Sequence, residues 1–431
     1  MIRTLLALSF SAMLSQTVQA DLSDAEMQMA AHIDQTQEQA VKLLEELVNI
    51  NSGTMNFAGV RKVADRLAPE FEALGFNVRF EDGSAFNRAG HLVAELNGGA
   101  GAKIMLIGHL DTVFEPDSPF QKFEMVDENI ARGPGISDMK GGNVIMLQAL
   151  RALKAAGELD KMNIRVVITG DEELSGRPLD LSKKALLDAA KWADIAIGFE
   201  DGDGNPATAN ISRRGSVDWT LRIKGNPAHS SQVFSEDVGA GAIYEASRIL
   251  NSFYTELRSE SLLTFNPGRI LGGTAVEHNP ADNSGSAFGK NNVVAEHALV
   301  TGDIRAVSPQ QLERVKDKMR FIVGQHLPQT QAVIEIGEGY PPMAPTEGNK
   351  KLLSLLSQVS QDLDQGQVTP VNPLNAGAAD VSFAAAHVDM AIDGLGLKGT
   401  GGHTVEEKGH LDALPAQAKR AALLMHRLTQ R

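Results

Sequence analysis

Over its first 200 residues the chain alternates short apolar runs with longer stretches in which apolar positions recur every three or four residues. Residues 24–50 and 57–74 have the second pattern and predict two helices, the latter stopped by Gly75. Residues 77–80 and 91–96 read as strands. Three further runs, 103–108 (KIMLIG), 163–170 (NIRVVITG) and 194–199 (DIAIGF), are rich in Ile and Val and bounded by glycine or charge. Such runs predict strands buried on both faces, as in a parallel sheet. A glycine-rich turn at 133–142 leads into a predicted helix over about 143–154. Strand, loop and helix therefore alternate up to residue 200. That order predicts an α/β sheet with helices on both faces.

The pattern changes near Arg213. Residues 216–224 (SVDWTLRIK) alternate like a half-exposed strand, and 237–257 read as a helix. Strands at 262–271 and 292–306, a helix at 308–326 and a strand at 331–337 follow. The order β-α-β-β-α-β is a small α+β module with one sheet face exposed. Such a face can pair with a second copy. After Pro341 and Pro342 the α/β texture returns, with a helix over 349–362, a short strand at 390–393 and a closing helix at 415–428. The simplest organisation is one domain, residues 21–213 and 339–431, interrupted by an inserted one, 214–338. Residues 273–290 are rich in Gly, Asn and Ser without any period and predict a mobile loop.

Acids and histidines follow all three buried runs. His109 and Asp111 follow the first, Glu172 and Glu173 the second, and Glu200 the third. In open α/β sheets the site lies at the carboxyl ends of the strands, so these residues are expected to converge. Asp138 in the glycine-rich turn and His403 in a Gly-Gly-His-Thr segment extend the set. His109, Asp138, Glu173, Glu200 and His403 are the inventory of a two-metal hydrolase. Such a site needs ligands for each ion, a bridging carboxylate and a base, with the ions roughly 3.5–4 Å apart. Glu172 and Glu173 can divide ligation from proton transfer. Asp111 is placed to hold the second nitrogen of His109. Each piece alone has a plainer reading. A His-x-Asp is usually a surface pair, a Glu-Glu pair a solvated helix start, and His403 a loop histidine. The glycine-rich turn lacks the Lys-Ser/Thr of a phosphate loop. Joint occurrence at successive strand ends favours the metal site.

Composition narrows the chemistry. There is no cysteine, so any metal rests on imidazole and carboxylate, which suit zinc. The formal charge of −14 argues against nucleic acid and anionic lipid as partners. Residues 1–20 combine a basic start, a short apolar stretch and Val-Gln-Ala. They predict a secretory signal peptide and a periplasmic or secreted product with no membrane span.

Seven blocks carry a resemblance: GHLDTVF (108–114), GPGISDMKGG (133–142), TGDEELSG (169–176), IGFEDG (197–202), AHSS (228–231), NNVVAEHALVTGDIR (291–305) and GTGGHTVEEKGH (399–410). In this order they resemble the metallopeptidase M20 family, and within it the glutamate carboxypeptidase (carboxypeptidase G2) branch. The resemblance implies a zinc-exopeptidase catalytic domain with an inserted dimerisation or lid domain. It implies two zinc ions per subunit, bridged by Asp138, with His109 and Glu200 completing one and Glu173 and His403 the other. Glu172 would be the general base, Asp111 would support His109, and the peptide after Asp138 would be cis. His229 would reach the partner's active site in a homodimer and steady the oxyanion. Asn292 and Arg305 would bind the substrate's carboxylate end, with Arg213 and Arg214 as further cations for an acidic substrate. The chain departs from the family pattern at Ser230, in the turn 376–380, and in the length of 273–290.

The expected activity is hydrolysis of the amide bond before a C-terminal amino acid, glutamate first, in a small peptide or N-acyl amino acid. An N-acyl-amino-acid amidohydrolase or dipeptidase is the alternative within the family. A non-catalytic metal-binding homologue is the alternative outside it.

Overall fold

The computed structural model describes residues 22–99, 101–280 and 284–430; the expected signal segment, 1–20, lies outside them. Ten strands carry the two main sheets. They are β1 (Asn77–Asp82), β2 (Gly90–Asn97), β3 (Lys103–His109), β4 (Asn163–Thr169), β5 (Ile195–Gly198), β6 (Val217–Lys224), β7 (Thr264–Gly273), β8 (His297–Arg305), β9 (Gln331–Ile336) and β10 (Met390–Ile392).

The first sheet has the order β1-β2-β4-β3-β5-β10. Strands β4, β3, β5 and β10 run parallel, and β2 runs against its neighbours. Successive side chains of each strand enter different cores. Ile104 and Leu106 of β3 face the larger one, Met105 and Ile107 the smaller. The larger core is closed by helices Asp24–Gln35, Gln37–Val48, Phe57–Ala73, Gly141–Ala155, Glu347–Asp362 and Ala413–Thr429, the smaller by Lys184–Trp192. Burial on both faces is why these strands read as unbroken apolar runs.

The second sheet, β7-β8-β6-β9, is antiparallel and has its own core. Val217, Trp219, Leu221 and Ile223 of β6 point into it, while Asp218, Arg222 and Lys224 are exposed. Helices Ala242–Leu257 and Pro309–Val323 cover that one face. Ile270 and Val333 are exposed. Two short crossings join the units. Backbone bonds link Arg213 with Met343 and Ser216 with Tyr340, so the outgoing and returning segments brace each other.

The expected α/β sheet with an inserted α+β unit is therefore the observed fold, and local differences have physical causes. The opening helix divides at Thr36, whose hydroxyl turns back onto the His32 carbonyl at 2.8 Å and competes with continued helix. The helix expected from 237 starts at Ala242, because Gly241 takes φ 81°. Residues 273–290 are not a structureless loop: Ala275–Asn279 and Ser284–Phe288 pair as an antiparallel hairpin. Exposed residues dominate both strands, so no apolar alternation marked them.

Strands β4, β3 and β5 are neighbours, with His109 level with Thr169 and Ile107 level with Gly198. Their carboxyl ends lie side by side, and the residues that follow them meet there. Among the described residues, no helix is long and apolar enough to cross a membrane.

Candidate metal centre

Two three-residue groups meet at these strand ends, each with ligand atoms within 4.8 Å of one another: His109, Asp138 and Glu200, and Asp138, Glu173 and His403. His109 Nε2 lies 3.1 Å from Asp138 Oδ1 and 3.3 Å from Glu200 Oε1. His403 Nε2 lies 2.9 Å from Asp138 Oδ2 and 3.2 Å from Glu173 Oε2. Asp138 thus gives one oxygen to each group, the arrangement a bridging carboxylate requires.

Each side chain is placed by an anchor behind it. Asp111 is fully buried. Its carboxylate accepts the Glu172 and Glu173 amides, both at 3.1 Å, and the Thr54 hydroxyl at 2.7 Å. His109 Nδ1 is closer to the Asp111 carbonyl, 2.9 Å, than to its carboxylate, 3.5 Å. Asp111 therefore orients His109 mainly through its main chain. Glu407, with no exposed surface, accepts the amides of Gly135, Ser137 and Asp138 at 3.0, 2.9 and 3.2 Å. This fixes the glycine-rich turn. Gly142 is needed in it because a Cβ there would fall 1.9 Å from the Phe199 carbonyl oxygen. The Asp138–Met139 peptide is cis. Asp393 accepts the Glu200 amide at 3.2 Å, and Arg213 pairs with Asp393 at 2.8 Å.

The protein's own charges leave the cluster rich in negative charge. Burial pushes the Glu172 carboxyl well above the usual range, with neighbouring carboxylates adding to it. Burial likewise lifts Glu173 to about 7 and raises Glu200. Burial opposes ionisation of Asp138 too, but hydrogen bonds from both imidazoles hold it well below. Hydrogen bonds to Asp138 and Glu173 raise His403 to about 11. So many buried acids call for cationic compensation. Two imidazoles, a shared carboxylate and further carboxylates fit a pair of divalent ions of the zinc class.

A cavity of about 810 Å³ opens beside the cluster, lined by Glu172, Glu173, Arg88, Arg177 and Tyr340. A cavity of similar size, about 820 Å³, lies on the second unit around Phe234, Tyr244 and Pro328, and no cluster residue lines it.

The remaining expected residues fall into two other places. His229 and Asn292 come together on the second unit, where the Ser230 amide meets the Asn292 carbonyl at 2.9 Å. His229 Nδ1 contacts the Ser231 hydroxyl at 2.8 Å, and neither His229 nor Asn292 bonds to the cluster. Arg305 pairs with Asp303 at 2.9 Å. Arg214 spans the Pro373 and Leu374 carbonyls and Thr264, which is in register with Arg305. Arg213 is not available to an acidic substrate, because it is buried against Asp393. The sequence reading missed Glu407, Asp393, Lys183 and Tyr340. Only Glu407, in its Glu-Glu pair beside His403, carried a signal of the kind that marked Glu172 and Glu173.

A model of peptidase family M20/M25/M40 matches residues 105–427. The chain belongs to that family. It is 26% identical over 392 residues to carboxypeptidase G2 of Pseudomonas sp. (strain RS-16), covering 89% of this chain and 88% of that one. It is 26% identical over 366 residues to succinyl-diaminopimelate desuccinylase of Magnetococcus marinus, covering 80% and 87%. Among solved structures, aminopeptidase PepT of Bacillus cereus superposes with a TM-score of 0.69 at 20% identity over 91% of this chain and 98% of that one. The YXEP protein of Bacillus subtilis, a dinuclear metal binding peptidase from the M20 family, gives 0.63 at 15% identity over 92% and 99%. The protein is thus a hydrolase of the M20 family.

The anchoring of the Asp138 turn by Glu407 has a measurable consequence. Glu407→Gln keeps one acceptor oxygen but turns an NH2 group toward the main-chain donors that the other oxygen served, and should weaken metal affinity about 10–100-fold. Competition with a chelating dye measures this. Unchanged affinity would show that the turn holds its shape without the carboxylate.

Proposed function

We propose that this M20 hydrolase is a zinc-dependent exopeptidase that cleaves the amide bond before a C-terminal amino acid, glutamate first. The observation that carries the metal-dependent reading is Asp138, whose two oxygens serve two histidine-carboxylate groups, with Glu172 beside them. The likeness to a carboxypeptidase over 89% of the chain favours release from the carboxyl end. The likeness to desuccinylases favours a second reading, removal of an N-acyl group from an amino acid. Export to the periplasm or beyond follows from the pattern of residues 1–20.

His109, Asp138 and Glu200 would hold one ion, and Asp138, Glu173 and His403 the other. Bound zinc supplies a Lewis acid for the substrate carbonyl and makes water acidic near neutral pH. Glu172 takes the proton of the attacking water and delivers it to the leaving amine. Asp111 keeps Glu172 and Glu173 in line through their amides. Arg305, Arg214 and Asn292 hold the substrate's carboxylate. His229 is exposed and lies away from its own cluster, which supports a role across a homodimer, steadying the oxyanion in the other subunit.

Chelation should abolish hydrolysis and zinc should restore it. Glu172→Gln should retain both ions and lose at least about 100-fold in kcat; an unchanged rate sinks the base assignment. A panel of dipeptides and N-acyl amino acids ending in Glu, Asp, Ala, Leu or Lys should give the highest kcat/KM for glutamate release. A better rate for another residue removes the glutamate preference and leaves the mechanism. His229→Ala subunits mixed with Glu172→Gln subunits should recover part of the activity, because one site of each mixed dimer regains both groups. No recovery would count against the contribution in trans.

A further inference from the structure

Among the described residues the Glu172 carboxylate has no hydrogen bond or ion pair, so its aim depends on its main chain. That main chain is held at both ends. The Glu172 amide donates to Asp111 Oδ1 at 3.1 Å, and the Glu172 carbonyl accepts from the Tyr340 hydroxyl at 2.8 Å. A phenol has one proton and a carbonyl can only accept. Tyr340 therefore spends its proton on Glu172. Ser175, 3.0 Å from the phenol oxygen, donates its own proton to Tyr340.

The direction of that hydroxyl is fixed by packing around the ring. Tyr340 meets Phe383 edge-on at 4.9 Å between centroids, and the Lys183 ammonium lies 5.5 Å from the Tyr340 centroid. Lys183 is itself buried and bridges Asp171 and Asp380 at 3.0 and 3.1 Å. Asp171 precedes Glu172, so the lysine steadies the same turn from below.

Tyr340 does not belong to the catalytic sheet. It lies on the segment that returns from the second unit, where its main chain exchanges two hydrogen bonds with Ser216, both 3.0 Å. The crossing that attaches the second unit thus reaches the carbonyl of the proposed base.

We propose that Tyr340 is a positioning residue for Glu172, setting the base's orientation from the crossing between the two units. The proposal rests on Glu172 being the base. It assigns Tyr340 no contact with substrate and no proton transfer. Without the hydroxyl, the turn after β4 keeps its Asp111 anchor and loses the opposite one, leaving Glu172 free to pivot. Reaction rates are sensitive to such pivoting, since a misplacement of about 1 Å can cost about 100-fold.

Tyr340→Phe keeps the ring and removes only the hydroxyl. With one anchor remaining, kcat should fall about tenfold while KM stays within about twofold. Both ions and the thermal midpoint should be retained, which separates positioning from loss of structure. Ser175→Ala leaves the Tyr340–Glu172 bond in place and should keep kcat within about twofold of the parent. An unchanged kcat in Tyr340→Phe overturns the proposal. So does loss of metal, a rise in KM at constant kcat, or an equal defect in Ser175→Ala. Glu172→Gln, run beside them, tests the underlying reading separately. If that variant keeps the parental rate, the base lies elsewhere and the proposal falls with it. If it is inactive, the Tyr340→Phe result alone decides.

Discussion

Both oxygens of Asp111 are committed to the loop that follows the neighbouring strand, and the site depends on that commitment. Asp111 comes just after β3, while Glu172 and Glu173 come just after β4. A carboxylate with no exposed surface would be costly, but the two amides and the Thr54 hydroxyl satisfy it. Three donors on one buried anion lock two strand ends into one geometry. Glu407 does the same for the Asp138 turn, from about 270 residues away in the chain. Both anchors work against the mutual repulsion of Asp138, Glu173 and Glu200. They hold like charges close enough to share cations.

What was legible in the sequence follows from this arrangement. Strands buried on both faces must be apolar throughout, so β3, β4 and β5 stood out, and with them the residues that close each one. Of the anchors, Asp111 was marked by its place after β3, and Glu407 only by its Glu-Glu pair, with its partners hidden. Asp393 and Lys183 find their partners only through tertiary structure, and no local period marks a single buried charge. Arg213 was misjudged for the same reason: a sequence shows the cation and hides Asp393. The strand pair Ala275–Asn279 and Ser284–Phe288 escaped because it buries little, and strands without a buried face write no alternation.

The two units separate two kinds of residue. The acid and histidine cluster comes from the carboxyl ends of β3, β4 and β5, from the glycine-rich turn that carries Asp138 and from the loop around His403. His229, Asn292 and Arg305 all come from the second unit, which folds around its own Trp219-centred core. A change within that second core can move these three residues while the cluster geometry persists. The coupling that remains runs through two short crossings, one carrying Arg213 toward Glu200 and the other carrying Tyr340 toward Glu172.

The two halves of the cluster differ in their access to water. The His109 side chain is 1% exposed and that of His403 is 59% exposed. Both halves share Asp138, so the contrast lies in the histidines and the segments that carry them. His109 ends a central strand, whereas His403 sits in a loop with φ 62°. An ion held by the His403 half would therefore rest on a loop open to solvent, and one held by the His109 half against the buried end of a central strand.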